Sequence, residues 1–253
     1  MSKDVAVRFQ NVTKYYYLDH LGSFGVKNLI LHLPTYLRER RQRERFCALD
    51  DVSLEILKGE CFGIIGRNGS GKSTTLGLIA GVLKPTSGEV ETRGHICPLL
   101  ELGAGFHPEL SGRENILLNG VLLGMTREQV MGKMDDIIAF SELGSFIKRP
   151  IRVYSSGMVA RLGFSVVVHL NPEILLIDEV LAVGDESFQE KCLHKMQEFR
   201  KVGVTMVYVS HSLQSVRSVC NRVALMDAGK LITIGEPDAS IERYYHRLHE
   251  LQG

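Results

Sequence analysis

An α/β architecture interrupted by a helical insert is expected on three grounds. Cys61-Phe62-Gly63-Ile64-Ile65 is a short apolar run that leads straight into Gly66-Arg67-Asn68-Gly69-Ser70-Gly71-Lys72-Ser73. Two further runs, Ile174-Leu175-Leu176-Ile177 and Thr205-Met206-Val207-Tyr208-Val209, have the continuous apolarity of strands buried in a parallel sheet. Between the glycine-rich loop and those runs, positions 111 to 170 read as mostly helical.

The remaining elements follow in chain order. Val5-Ala6-Val7-Arg8-Phe9 alternates like an edge or half-buried strand. Leu54-Glu55-Ile56 reads as the next strand, set off from Cys61 by a turn at Lys58-Gly59-Glu60. Together they suggest an N-terminal antiparallel β part. Thr74 to Val82 reads as a helix behind the loop, and Glu89 to Leu102 holds one or two strands. Ser111-Gly112-Arg113-Glu114 has capping-box spacing just before the apolar pattern Ile116, Leu117, Val121, Leu122. Glu186 to Lys201 reads as a helix, and Asp227-Ala228-Gly229 as a hairpin turn between Val223-Met226 and Lys230-Ile232. The expected layout is one domain over 1–253, with a core from 1–104 and 171–253, a helical subdomain over 105–170 and an insert over 18–46.

Composition narrows the function classes. With 44% apolar and 23% charged residues in 253, the chain has ample material for a large core. A net charge of +1 offers no bulk attraction for nucleic acid, and no nucleic-acid partner is expected. No uncharged run reaches the ~18 residues that span a bilayer, and the first residues lack the apolar stretch of a secretory signal. Cys47, Cys61, Cys97, Cys192 and Cys220 are scattered without a C-x-x-C pair, which fits a reducing compartment and no structural metal. A cytosolic protein is expected, and any membrane role must come through a partner.

The chemistry lies in four places. The loop from Gly66 to Ser73 matches G-x-x-x-x-G-K-[ST] at every fixed position. Small residues there let successive backbone N–H groups face an anion, Lys72 reaches the outer phosphates and the Ser73 hydroxyl binds Mg²⁺. The following helix presents its positive N-terminus to the same anion. Second, the run 174–177 ends in Asp178-Glu179, at the sheet edge where α/β folds bind ligands. Following a phosphate loop, Asp178 is expected to hold Mg²⁺ with Ser73, and Glu179 to orient or deprotonate the attacking water. Third, Val209-Ser210-His211 places His211 at another strand tip, suited to a γ-phosphate contact. Fourth, Tyr154-Ser155-Ser156-Gly157-Met158 opens an apolar helix through Leu162, Phe164 and Val166. Its small residues serve equally well as an anion site or as a simple N-cap.

Taken in order, these motifs resemble the nucleotide-binding subunit of ABC transporters. Tyr154 to Met158 is similar to that family's Leu-Ser-Gly-Gly-Gln signature, Ala182-Val183-Gly184-Asp185 to its D-loop and His211 to its switch histidine. The resemblance implies a P-loop NTPase (RecA-like) core that hydrolyses ATP with Mg²⁺. It implies a head-to-tail homodimer holding two ATP molecules, each between the 66–74 loop of one copy, including Thr74, and Ser155 and Gly157 of the other. Tyr16, among Tyr15-Tyr16-Tyr17, takes the place of the aromatic that stacks on adenine. The family's Mg²⁺-sensing glutamine is missing, since no glutamine occurs between Gln42 and Gln129, and Glu101 stands as its positional substitute.

Leu100 to Asn115, the wording Asp178 to Asp185 and the long insert before Ala48 resemble ATPases that export O-antigen and related cell-surface polysaccharides. That branch implies a transmembrane permease dimer as partner, a lipid-linked polysaccharide as cargo and a place at the cytoplasmic face of the inner membrane. Teichoic-acid or capsule export, or a soluble ABC ATPase outside transport, are the alternatives. Some members of the branch carry a C-terminal carbohydrate-binding domain, which is not expected in a chain ending at Gly253. A kinase or GTPase is disfavoured by the signature and by the lack of an Asn-Lys-x-Asp motif. Residues 27–45 carry six basic and two acidic side chains, net +4, behind an apolar patch at Leu29, Ile30, Leu31 and Leu33. Such a segment suits an anionic membrane surface, at ~1 kcal/mol per basic residue. Replacing Arg38, Arg40, Arg41 and Arg43 by glutamine is therefore expected to impair export in cells while ATP turnover persists; unchanged export would remove the idea.

Overall fold

The structure, a computed structural model, describes residues 4–17, 45–99, 103, 105–170, 172–178 and 185–250. Glu101, Glu179, Ala182 to Gly184 and the insert residues 18–44 lie outside the described residues. The elements are β1 (Val5–Tyr17), β2 (Arg45–Leu57), β3 (Cys61–Ile65), α1 (Lys72–Ile79), β4 (Ser87–Thr92), β5 (Ile96–Leu99), α2 (Gly112–Leu122) and α3 (Arg127–Ser141). They continue as α4 (Ser156–Val167), β6 (Ile174–Asp178), α5 (Glu186–Lys201), β7 (Thr205–Val209), α6 (Leu213–Val219), β8 (Arg222–Asp227), β9 (Lys230–Gly235) and α7 (Pro237–Glu250). Short 3₁₀ turns at Gly144–Lys148 and Ile151–Val153 link α3 to α4.

Two sheets result. β2-β1-β4 is a three-stranded antiparallel sheet, and β5-β6-β7-β3-β8-β9 is six-stranded. In the larger sheet only the β8–β9 pair is antiparallel, because a two-residue turn closes it. The period-2 alternation of each central strand builds a core on either face. Cys61 and Ile65 of β3 join Leu175, Ile177, Met206 and Tyr208 beneath Phe164, Phe188 and Val216. Phe62 and Ile64 point the other way, joining Leu176, Val207 and Val209 with Val7, Phe9, Leu49 and Leu76. The small sheet and α1 thus cover one face, and the later helices the other.

A third apolar cluster sits among the helices, where Ile116 of α2 and Val130, Met134 and Ile137 of α3 pack on Leu162 and Val166 of α4. Phe164 and Val167 of the same helix belong to the sheet's core. α4 therefore wedges between two hydrophobic interiors, which its sequence period of 3.6 makes possible. Both capping boxes that open this region are formed, Ser111 with Glu114 and Thr126 with Gln129. The Ser111 hydroxyl and amide hydrogen bonds hold the Glu114 carboxyl below its ordinary value.

Three expectations need adjustment. The helix behind the loop runs Lys72–Ile79 and not Thr74 to Val82, since Gly71 already caps it and a turn closing Gly81 N–H on Leu78 O ends it. β1 continues past Phe9 to Tyr17 through register shifts around Asn11, which sequence alternation hid. Arg45 and Phe46, placed in the insert, are strand residues of β2 paired with Tyr17 and Tyr16. Glu89 to Leu102 does contain two strands, broken at Arg93-Gly94-His95. Among the described residues no helix is long and apolar enough to cross a membrane.

Glu60 ties the sheets together. Its carboxylate accepts from Leu57 N–H at 2.7 Å and from Arg222 at 3.0 and 3.2 Å, while Glu60 O accepts from Met206 N–H. Glu60→Ala leaves a mostly buried amide and guanidinium without their acceptor, and is expected to cost about 2 kcal/mol in chemical denaturation. A loss under ~0.5 kcal/mol, the ordinary range for an indifferent surface change, would show that the pair does not join the sheets.

Candidate active site

The parallel register decides which residues meet. Ile64 of β3 lies opposite Val209 of β7, and Val209 opposite Asp178 of β6. Adjacent strands lie about 4.8 Å apart, so three strand ends open side by side: β3 into Gly66, β6 at Asp178 and β7 into Ser210-His211. This is the carboxyl edge of the sheet, where open α/β folds bind ligands. His211 is exposed there and Asp178 half-buried.

The loop is built around backbone. Gly71 adopts φ 100°, a region closed to most side chains, and caps α1 with no side-chain hydrogen bond. A Cβ on Gly71 would stand 2.6 Å from Ala48 O, and one on Gly66 would stand 2.2 Å from Met226 O. The first turn of α1 holds no acidic residue, so its N–H groups and dipole are left for an external anion. Lys72 is buried, its Nζ donating to Gly66 O at 2.9 Å and Arg67 O at 3.0 Å, which poises a cation under the loop. Arg67, Asn68, Gly69 and Ser73 are exposed at the mouth. The Ser70 hydroxyl is buried and, among the described residues, has no hydrogen-bond partner. Ser70 O accepts from Gly229 N–H at 3.2 Å, and Gly229 O from Asp50 N–H at 2.9 Å, so the β8–β9 turn pins the loop to β2.

In front of the loop is a cleft of about 260 Å³ lined by Asn68, Gly69, Gly71, Lys72, Ser73 and Thr74, with Phe46 and Ala48 of β2 as its other wall. A phosphate chain fits this donor set. Among the described residues no group of three His, Cys, Asp or Glu side chains could hold a metal by itself, so a divalent cation here would depend on Ser73, Asp178 and the phosphates together.

Ser155 and Gly157 stand elsewhere. Ser155 Oγ accepts from Met158 N–H at 3.2 Å and so caps α4, realising the N-cap reading, yet Ser155 remains exposed. Neither residue lines the loop's cleft. α4 is tied instead to the start of α5: Arg161 reaches Asp185 at 2.7 Å and lies over the Phe188 ring at 4.8 Å. Hydrogen bonds from Ser187 and Phe188 N–H, then Arg161, hold the Asp185 carboxyl below its usual range.

Tyr16 lies opposite Phe46 on the same face of the β1–β2 ladder, with Lys14 Nζ 5.2 Å from its ring centre. Sequence reasoning missed Phe46 and Gly229. Phe46 was hidden in the charged run before Ala48.

The profile of the family described as "ABC transporter" matches residues 49–182. The chain belongs to the ABC transporter family. An O-antigen export system ATP-binding protein RfbB of Klebsiella pneumoniae is 52% identical over 238 residues, covering 94% of this chain and 96% of that protein. The protein of the same description from Myxococcus xanthus is 53% identical over 207 residues, 82% of this chain and 47% of its own length. The teichoic acids export ATP-binding protein TagH of Enterococcus faecalis is 44% identical, covering 98% of this chain and 54% of TagH. Among solved structures, a dimeric post-hydrolysis state of the ATP-binding cassette MJ0796 bound to ADP and Pi matches with a TM-score of 0.72 at 24% identity, over 91% of this chain and 98% of that one. At that identity the likeness establishes the ABC cassette fold.

Gly71→Ala is expected to abolish nucleotide binding in a titration and to destabilise the fold by about 1–3 kcal/mol, the usual cost of a side chain at such a φ. Retention of parental affinity would mean that the loop's backbone does not form the cradle.

Proposed function

We propose that this ABC transporter subunit hydrolyses ATP to drive export of a lipid-linked cell-surface polysaccharide of the O-antigen type, acting at the cytoplasmic face of the membrane with a permease dimer. The observation that carries the catalytic part is the shared strand edge, where the loop, Asp178 and His211 stand on neighbouring strands. The cargo assignment is supported by 52% identity to an O-antigen export ATP-binding protein over 94% of the chain. The 44% match to a teichoic acids exporter favours teichoic acid as the second reading.

In this reading the loop amides from Gly66 to Thr74 and the α1 N-terminus bind the phosphates, and Lys72 turns from the loop carbonyls toward the outer ones. Ser73 and Asp178 would hold Mg²⁺, with Glu101 a further candidate; the ion, when bound, offsets phosphate charge. Glu179 takes the proton of the attacking water and His211 steadies the γ-phosphate. Tyr16 stacks on the base.

Ser155 and Gly157, held on α4 away from their own chain's cleft, serve the nucleotide of a second copy. ATP then favours a closed dimer and its hydrolysis releases it. Swinging such a gate from 1:99 to 99:1 takes ~5.5 kcal/mol of differential affinity. Charge-assisted hydrogen bonds at two sites, ~1.5–3 kcal/mol each, are of sufficient size.

Lys72→Ala is expected to lose ATP binding. Glu179→Gln is expected to keep binding, slow turnover by at least about 100-fold, and accumulate an ATP-bound dimer by size-exclusion chromatography. Neither variant should restore surface polysaccharide to a strain lacking the gene. Parental turnover by Glu179→Gln would take the base role from Glu179; restored export by Lys72→Ala would remove ATP as the driver.

A further inference from the structure

We propose that Phe46 is a second base-contacting residue of the nucleotide site, forming with Tyr16 a two-strand aromatic platform beyond the phosphate loop. The inference rests on the nucleotide reading above and names a residue that reading does not use.

Phe46 is 49% exposed, so its ring is accessible to a ligand. It is also part of the cleft wall, together with Ala48 of the same strand and Asn68, Ser73 and Thr74. Its partner across the β1–β2 ladder is Tyr16. Directly opposed residues of antiparallel strands project from the same face, so Tyr16 and Phe46 share one face of the β1–β2 ladder. Lys14 already lies against the Tyr16 ring, its Nζ held by Lys84 O at 2.8 Å. Of the two aromatics, Phe46 is the one that lines the cleft. A triphosphate on the α1 N-terminus leaves its nucleoside to extend out of the cleft, and this wall offers a π face to meet it. Stacking of this kind is indifferent to the base, so the platform suits nucleotides as a class and strengthens binding without reading the base edge.

The test compares two probes on the full chain: ATP, and inorganic tripolyphosphate, which fills the loop but has no base. Phe46→Ala is expected to weaken ATP about tenfold while tripolyphosphate binds as in the parent, and Phe46→Tyr is expected to restore ATP affinity. Unchanged ATP affinity in Phe46→Ala would overturn the proposal, as would an equal loss for both probes, which would place the effect in the Ala48–Gly71 packing. Failure of the underlying reading is seen separately: Lys72→Ala would then bind ATP as tightly as the parent.

Discussion

The site depends on the parallel ladder that locks β6, β7 and β3 in register. Each of these strands is five residues long, and every β3 and β7 residue is buried. Burial on both faces demands unbroken apolar sequence, and a parallel arrangement demands that all three run the same way. Their polar ends therefore emerge together at one edge. Lys72, Asp178 and His211, separated by more than thirty residues at each step, become neighbours as a consequence of core packing. No direct interaction between them is required to assemble the edge.

Packing also fixes the shape of the loop. Its Gly71 and Gly66 sit where a Cβ would strike backbone oxygens of β2 and of β8. The β8–β9 turn grips it through Ser70 and holds β2 through Asp50. An anion cradle made of amides is costly to leave disordered and costly to bury. Here it is preformed, with its cation stored on its own carbonyls, so binding loses little ordering entropy.

The helical layer obeys a different constraint. α4 shares Leu162 and Val166 with the helices and Phe164 and Val167 with the sheet, so it cannot shift relative to one interior without disturbing the other. Its exposed N-terminus is carried on that wedge, and Arg161 links the wedge to Asp185 at the head of α5. α4 and the head of α5 are thus joined by the Arg161 guanidinium and by the packing of Phe164 on Phe188.

Local chemistry was fully written in the sequence: the glycine-rich loop, the apolar strands with polar tips, the capping box at Ser111 and the helix Glu186–Lys201 each follow from short-range rules of sterics, hydrogen bonding and burial. What escaped was set by partners distant along the chain. Phe46 became part of the cleft only because β2 pairs with β1 and leans on Gly71, and β1 ran on to Tyr17 because β2 and β4 supplied hydrogen bonds across its irregularities. Gly229 reads in the sequence only as a turn residue, and its hold on the loop is a backbone contact with Ser70. Sequence determined which groups could bind phosphate; tertiary structure decided which of them face one another, because register and strand direction are properties of the assembled sheet and not of any single segment.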